Sequence, residues 1–169
     1  MGKLNYKKYI ILSYLFVIFH GCSSIQIIDD KQLNLHNAYT ITLPGEPWKI
    51  VTIDSEDLAM HYPGNDAMLA IISTLGENSL LTLDRLYKQL FIGIKKKHIV
   101  NREYKYINNQ RFLHTILEGE IDDHKIKISA YIISTENIVY DIVYWSAPNT
   151  FDLSLGDFEN MINSFKPAD

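Results

Sequence analysis

The sequence predicts an α+β domain in which an antiparallel β-sheet is flanked by helices. Short segments with alternating apolar residues are separated by turns rich in Pro, Gly, Asn and Asp. Two other segments space their apolar residues as one face of a helix does. These strands and helices occur in separate groups along the chain, which favours α+β over a parallel α/β fold. With 169 residues, 47% of them hydrophobic, the chain can form one domain with a substantial core.

The first group of predicted strands precedes the first helix. Tyr39, Ile41 and Leu43 alternate with threonines, so a strand is predicted over 38–43. The next four residues, Pro-Gly-Glu-Pro, are typical of a turn. The other strands of this group are predicted over 48–53, 58–62 and 68–75, and the last is apolar on both faces, as a central strand is.

Two amphipathic helices are predicted. In the first, over 82–97, Thr82 is the N-cap and Lys95, Lys96 and Lys97 lie at the negative end of the helix dipole. Its apolar face consists of Leu83, Leu86, Tyr87, Leu90 and Ile94. The second helix spans 151–165. Its apolar face consists of Phe151, Leu155, Phe158, Ile162 and Phe165.

Four strands are predicted between the helices. They cover 98–107, 110–121, 124–134 and 138–145. The turns between them are short and polar, including Asn108-Asn109 and Asp122-Asp123. Such turns join antiparallel neighbours, so these strands are expected to form a meander.

The first 21 residues have the pattern of a secretory signal peptide. Lys3, Lys7 and Lys8 form a basic start, an apolar stretch covers 10–19, and Gly21 precedes the single cysteine, Cys22. The segment Phe19-His20-Gly21-Cys22 resembles the lipobox of bacterial lipoproteins, although His20 replaces the usual small residue. This resemblance implies cleavage before Cys22 and its acylation with palmitate or a similar chain.

The lipoprotein resemblance also implies a location in the cell envelope. In Gram-negative lipoproteins a serine after the cysteine favours the outer membrane, and Ser23 stands there. The polar stretch 22–37 is predicted to be a tether between the acyl chains and a single domain over 38–169. Cleavage removes three lysines and no acids, so the net charge changes from −4 to −7 and the lipid is the expected contact with the membrane.

Several positions resemble the PsbP-like family, which includes a photosystem subunit, a yeast Ran-binding protein and bacterial DcrB-like lipoproteins. They are Leu43-Pro44, Trp48, Tyr140-Asp141-x-x-Tyr144 and Phe158-x-x-x-Ile162-x-Ser164-Phe165. The resemblance covers about residues 38–166 and implies an α/β/α sandwich. It implies a role in binding or assembly more often than in catalysis, and it supplies no catalytic residues.

Sequence motifs for catalysis or cofactor binding are weak. Asp122-Asp123-His124 offers metal ligands but is better interpreted as a turn, and Lys95-Lys96-Lys97 as a solvated helix end. The serines lack a Gly-x-Ser-x-Gly setting, as Ser129 illustrates. Asp141 shares a strand face with apolar residues, so it is either a buried acid of raised pKa or a paired one. No cofactor and no metal are predicted.

The main hypothesis is a lipid-anchored, non-enzymatic envelope domain that binds or stabilises another envelope protein. The alternatives are a domain that binds a small ligand in a cleft beside the 82–97 helix, and a hydrolase that uses Asp141. The net negative charge argues against nucleic acid as a partner. The candidate ligand or partner surface consists of Trp48, Tyr62, Tyr144, Trp145 and Asp141.

Overall fold

The computed structural model describes residues 26–27, 32–35, 39–53, 57–75 and 82–168. The predicted signal peptide and Cys22 lie outside these residues. The elements in chain order are β1 (Gln26–Ile27), β2 (Gln32–Leu35), β3 (Tyr39–Thr42), β4 (Lys49–Ile50), β5 (Leu58–Tyr62), β6 (Ala67–Leu75), α1 (Leu83–Leu90), β7 (Lys95–Ile107), β8 (Gln110–Ile121), β9 (His124–Ser134), β10 (Ile138–Ser146), α2 (Asp152–Ser164) and β11 (Lys166–Pro167). None of the helices in the described ranges is long and apolar enough to cross a membrane.

The strands form two antiparallel sheets. The large sheet has the order β4-β5-β6-β10-β9-β8-β7, and a small sheet has the order β1-β2-β3-β11. The four strands β7 to β10 are consecutive antiparallel neighbours, which confirms the predicted meander. β6 lies between β5 and β10, which confirms its predicted central position.

The hairpin turns explain why the register of the meander follows from the sequence. Asn108 and Asn109 both have positive φ, and so do Asp122 and Asp123. Two consecutive positive-φ residues are characteristic of a type I′ turn, whose twist matches that of the paired strands. The turns therefore hold Ile107 opposite Gln110 and Ile121 opposite His124.

The two helices cover opposite faces of the large sheet, so the α+β prediction is confirmed. One face packs against α2 and contains most of the buried aromatic residues. The α2 residues that enter this core include Phe158, Met161 and Ile162. The other face packs against α1 and the residues that follow it. Alternation along each strand assigns its side chains to these two cores.

The first helix is shorter than predicted. α1 ends at Leu90, whereas the prediction extended it to residue 97. Gly93 has a φ of 90°, which reverses the chain direction so that Lys95 begins β7. The lysines are therefore strand residues, although Lys97 Nζ still donates a hydrogen bond of 2.9 Å to the carbonyl of Phe91, the C-cap of α1.

Part of the predicted tether forms strands. β2 pairs with β3, and β1 pairs with β2, so residues 32–35 belong to the small sheet. The sequence Gln-Leu-Asn-Leu of β2 alternates polar and apolar residues, which is a strand pattern. The rest of 22–37 lies outside the described residues.

We expect Gly119→Ala to destabilise the domain by about 1–3 kcal/mol. A Cβ at this β8 position would collide with the Ile94 side chain and lie 3.0 Å from the backbone oxygen of Lys95. The matched control is Gly156→Ala in α2, where a Cβ meets nothing within 4 Å and alanine favours the helix. Urea unfolding should show a lower free energy of unfolding for Gly119→Ala only. Equal decreases in the two variants would contradict the close packing at Gly119.

Candidate functional site

Three of the predicted surface residues lie together in the core beneath α2. The Trp48 and Tyr62 ring centroids are 5.3 Å apart, and those of Trp48 and Tyr144 are 6.4 Å apart. Trp48 Nε1 donates a hydrogen bond of 3.0 Å to Asp157 in α2. Trp48 and Tyr144 are buried in this core, where they contribute to the packing of α2.

Tyr144 illustrates why a polar aromatic residue belongs in this core. Its hydroxyl donates a hydrogen bond of 2.6 Å to the carbonyl of Phe151 and lies 3.0 Å from Ser154 Oγ. The ring itself is fully buried against Phe158. Tyr144 therefore anchors the start of α2 on the sheet, and this structural role accounts for its hydroxyl group.

The other two predicted residues, Trp145 and Asp141, belong to the opposite face. Trp145 is partly buried against the core beneath α1. Asp141 lies between Ile72 and Ile132 on the neighbouring strands, and its Oδ1 is buried without a hydrogen-bond partner. The five residues thus do not form one surface, and a binding role for any of them stays a prediction.

Burial raises the pKa of Asp141 from 3.8 to about 7. The cause is desolvation: Asp141 is partly buried, and its Oδ1 is shielded from water without a hydrogen-bond partner among the described residues. Near neutral pH the side chain therefore exchanges between a protonated and a charged form. Such a group can exchange protons with its surroundings.

A polar network that the sequence reasoning missed connects β7, β8 and β9 on the α2 face. His114 Nε2 lies 3.0 Å from Ser129 Oγ, and His114 Nδ1 lies 3.6 Å from Glu103 Oε1. The imidazole stacks on Tyr131 with a centroid distance of 4.2 Å. Lys105 Nζ completes the network, at 3.3 Å from Tyr131 Oη and 3.7 Å from Glu103.

The order Ser129–His114–Glu103 is that of a nucleophile, a base and an orienting acid, but its burial opposes that use. Ser129 is 0% exposed and His114 is 1% exposed, so a substrate cannot reach the hydroxyl in this structure. Desolvation is the main cause that lowers the pKa of His114 to about 4, so the imidazole is neutral at pH 7. The geometry is that of a polar network that connects three strands, with His114 and Ser129 buried and with Glu103 and Lys105 reaching solvent.

The hairpin register was the signal that could have revealed this network. A two-residue turn at Asp122-Asp123 places His114 opposite Tyr131 and Ile116 opposite Ser129, and both pairs are present. Ser129 is then a diagonal neighbour of His114 on one sheet face. The participation of Glu103 depends additionally on the register of β7.

A surface cleft of about 300 Å³ opens beside this network, between the end of β7 and α2. Its lining residues are Lys105, Tyr106, Ile107, Tyr131, Glu159 and Asn163. The cleft lies on the α2 side, whereas the ligand hypothesis placed it beside the first helix. There the space is filled by a core cluster that contains Phe91, Ile94 and Leu117.

Potential metal ligands are dispersed over the described part of the chain. Within the ranges that the structure describes, no three His, Cys, Asp or Glu side chains are grouped closely enough to hold a metal ion. Asp122 and Asp123 form the turn of the β8–β9 hairpin, and β9 begins at His124 directly after this turn.

The strand β7 is far more exposed than its neighbours in the meander, β8 to β10. Only Lys105 and Ile107 among its 13 residues are partly buried. Of the seven large hydrophobic side chains that are exposed in the described residues, four belong to this strand. They are Ile99, Val100, Tyr104 and Tyr106, and Tyr106 is 73% exposed.

The architecture defines a PsbP-like fold, and comparison with solved structures supports this. The solution structure of the cyanobacterial PsbP protein CyanoP from Synechocystis sp. PCC 6803 matches with a TM-score of 0.59 and 16% identity, over 87% of this chain and 94% of that one. LpqN of Mycobacterium tuberculosis, described as involved in cell envelope biogenesis, matches with a TM-score of 0.56 and 12% identity, over 90% and 95%.

A third solved structure extends the likeness to a longer protein. A protein of Bacteroides thetaiotaomicron matches with a TM-score of 0.61 and 11% identity, over 84% of this chain and 50% of that one. No protein-family model matches the chain. No curated protein matches it either. At these identities the likeness establishes the fold.

Proposed function

We propose that this chain is a lipid-anchored, non-enzymatic domain of the cell envelope that binds or stabilises another envelope protein. The observation that carries the proposal is the exposed strand β7, where four large hydrophobic side chains are presented to solvent at a sheet edge. Apolar residues grouped on one surface are typical of protein contact sites. Tyrosine in particular contributes large contact areas at interfaces.

The sequence supports the envelope part of this proposal. Gly21-Cys22 after an apolar stretch resembles a lipobox, and Ser23 favours the outer membrane in Gram-negative cells. Two or more acyl chains on Cys22 would hold the protein stably at a membrane. LpqN, which shares the fold, is described as involved in cell envelope biogenesis, and this is consistent with the proposed location.

The anchor is tested by metabolic labelling with a clickable palmitate analogue. We expect the wild-type chain to carry the label and Cys22→Ala to lose it, because Cys22 is the only cysteine. A Ser23→Ala variant is the control and should retain the label. Equal labelling of wild type and Cys22→Ala, or none in either with the protein expressed, would contradict the anchor.

The partner is tested by crosslinking in native membranes. Lysine-reactive reagents of several lengths should recover one protein repeatedly with the wild-type chain. We expect recovery to fall in Cys22→Ala, because the domain then leaves the membrane surface where its partner resides. Failure to recover a specific protein with any reagent would count against a binding role.

The cleft beside Lys105 supports a second candidate function, the binding of a small ligand. Lys105 and Glu159 line it together with the ring of Tyr131, so it offers both charges and an aromatic surface. A thermal-shift screen with metabolites separates this function from partner binding, because a ligand that binds only the folded state raises the melting temperature. A rise in melting temperature that is absent in Lys105→Ala would support ligand binding in this cleft.

A further inference from the structure

The outer edge of β7 has backbone groups available for pairing. β7 is the last strand of the large sheet, and in the described ranges it pairs only with β8. The type I′ turn at Asn108-Asn109 makes Ile107 and Gln110 a hydrogen-bonded pair. Hydrogen-bonded and non-hydrogen-bonded pairs then alternate along the ladder, so the N–H and C=O groups of Arg102, Tyr104 and Tyr106 point away from β8.

The first half of β7 is protected against such pairing, and the second half is not. Register shifts occur between Lys95 and His98 and between Ile99 and Asn101, so the edge is irregular there. Bulges and lysines are the usual means by which edge strands avoid other strands. From Asn101 to Ile107 the pairing with β8 is regular, which leaves a regular edge of about 20 Å at 3.3 Å per residue.

The charge of this strand contrasts with that of the chain. β7 contains five of the 16 basic residues and one acid, Glu103, in a protein of net charge −4. Three of these cations have carboxylate partners: Lys96 with Glu120, Arg102 with Asp84, and Lys105 with Glu103. Other cations at this edge have no carboxylate within 4.0 Å among the described side chains. They are Lys95, Lys97 and, on β8, Arg111, which stacks on Tyr104.

We propose that residues 101–107 accept an extended acidic segment of the partner protein as an additional β-strand. The outward N–H and C=O groups would supply the main-chain hydrogen bonds, and the exposed rings of Tyr104 and Tyr106 would contact alternate side chains of the added segment. At this segment Arg111, which stacks on Tyr104 and has no carboxylate within 4.0 Å among the described side chains, favours an acidic sequence, and Lys95 and Lys97 add positive charge farther along β7. This inference rests on the proposed function and names the surface and the chemistry of the partner.

The test places a photo-crosslinking amino acid at position 106 of the full-length protein in its own cells, with position 153 in α2 as a second site. Both wild-type side chains are highly exposed, at 73% for Tyr106 and 72% for Leu153. We expect position 106 to crosslink to one protein, and mass spectrometry to map the adduct to an acidic, extended segment. Adducts with lipid alone, or with a basic or helical segment, would overturn the inference.

Two substitutions separate main-chain pairing from other contacts. Tyr104→Pro removes one outward N–H and leaves the ladder to β8 intact, whereas Tyr104→Thr keeps the N–H. We expect the yield of crosslinked product at position 106 to be about tenfold lower in Tyr104→Pro than in Tyr104→Thr. Arg111→Glu alters charge without altering the backbone and should lower the yield severalfold relative to Arg111→Gln. Equal yields within both pairs would overturn the inference even if a protein is captured.

The two crosslinking sites also separate this inference from the proposed function. Capture of a protein at position 153 but not at 106 would refute docking on β7 and leave a binding role standing. If neither position captures a protein and the lysine-reactive reagents give no product, both the docking on β7 and the proposed binding role are refuted. Circular dichroism of Tyr104→Pro controls for folding, and the Arg111 pair decides the outcome if that variant does not fold.

Discussion

Replacement of Phe158 by alanine should lower the free energy of unfolding by about 3–5 kcal/mol. Phe158 is 0% exposed and is the α2 residue that stacks on Tyr144, with a centroid distance of 5.4 Å. Its ring also lies 5.9 Å from that of Tyr131. Truncation would leave a cavity between α2 and the sheet, where rigid aromatic neighbours limit the relaxation that could fill it.

The control for Phe158→Ala lies on the same helix. Leu153 is 72% exposed, so Leu153→Ala should change stability by no more than about 0.5 kcal/mol. Equilibrium urea unfolding, followed by tryptophan fluorescence, measures both variants. A loss below about 1 kcal/mol for Phe158→Ala, or equal losses for the two variants, would contradict the packing of α2 on the sheet.

The pH dependence of stability should contain two opposing contributions, from Asp141 and His114. The pKa of Asp141 rises from 3.8 to about 7 on folding, so its effect is absent below pH 3.8 and folding is increasingly penalised as the pH rises to 7. The pKa of His114 falls from 6.5 to about 4 on folding. The contribution of His114 to the free energy of unfolding is therefore complete above pH 6.5 and is lost as the pH falls to 4. Between pH 4 and 6.5 the two contributions oppose each other.

Two substitutions should reveal these contributions separately. Relative to wild type, Asp141→Asn should gain stability as the pH rises from 4 to 7, and His114→Gln should gain stability as the pH falls from 6.5 to 4. Each slope is at most about 1.4 kcal/mol per pH unit, the value for one proton. Each variant is measured by urea unfolding across the pH range, so a uniform loss of stability does not alter the test. Parallel profiles for all three proteins would contradict both shifts in pKa.

Much of the fold could be predicted because its strands and turns are local patterns. The bounds of β5, β8 and β9 agree with the prediction, since alternation and two-residue turns define where a strand and its hairpin partner begin. The sequence predicts a longer first helix than the structure contains, which ends at Leu90. Ile94 does enter the same core as Phe91, as the spacing indicated, but it does so after Gly93 has ended the helical turn.

The candidate site was harder to predict than the fold. Alternation correctly places Asp141 on one face with Val139 and Val143. It does not show that the Oδ1 of Asp141 is buried without a hydrogen bond. The sequence does not distinguish a surface from a core position for Trp48 and Tyr144, because an aromatic residue with a polar atom is equally suited to an interface and to a core. The hydrogen bond of Trp48 to Asp157, which is 109 residues away, depends on the docking of α2.

The sequence by itself determined most of the large sheet's strands, the hairpin turns, the apolar face of α2 and the resemblance to a lipobox, because each depends on residues that are close in the chain. The tertiary structure decided which edge of the sheet is exposed, where α1 ends, and how Ser129, His114 and Glu103 meet across three strands. Those features depend on strand order and on the burial of distant apolar surfaces. Local periodicity specifies a face for each side chain, and the packing of the whole chain specifies what that face meets.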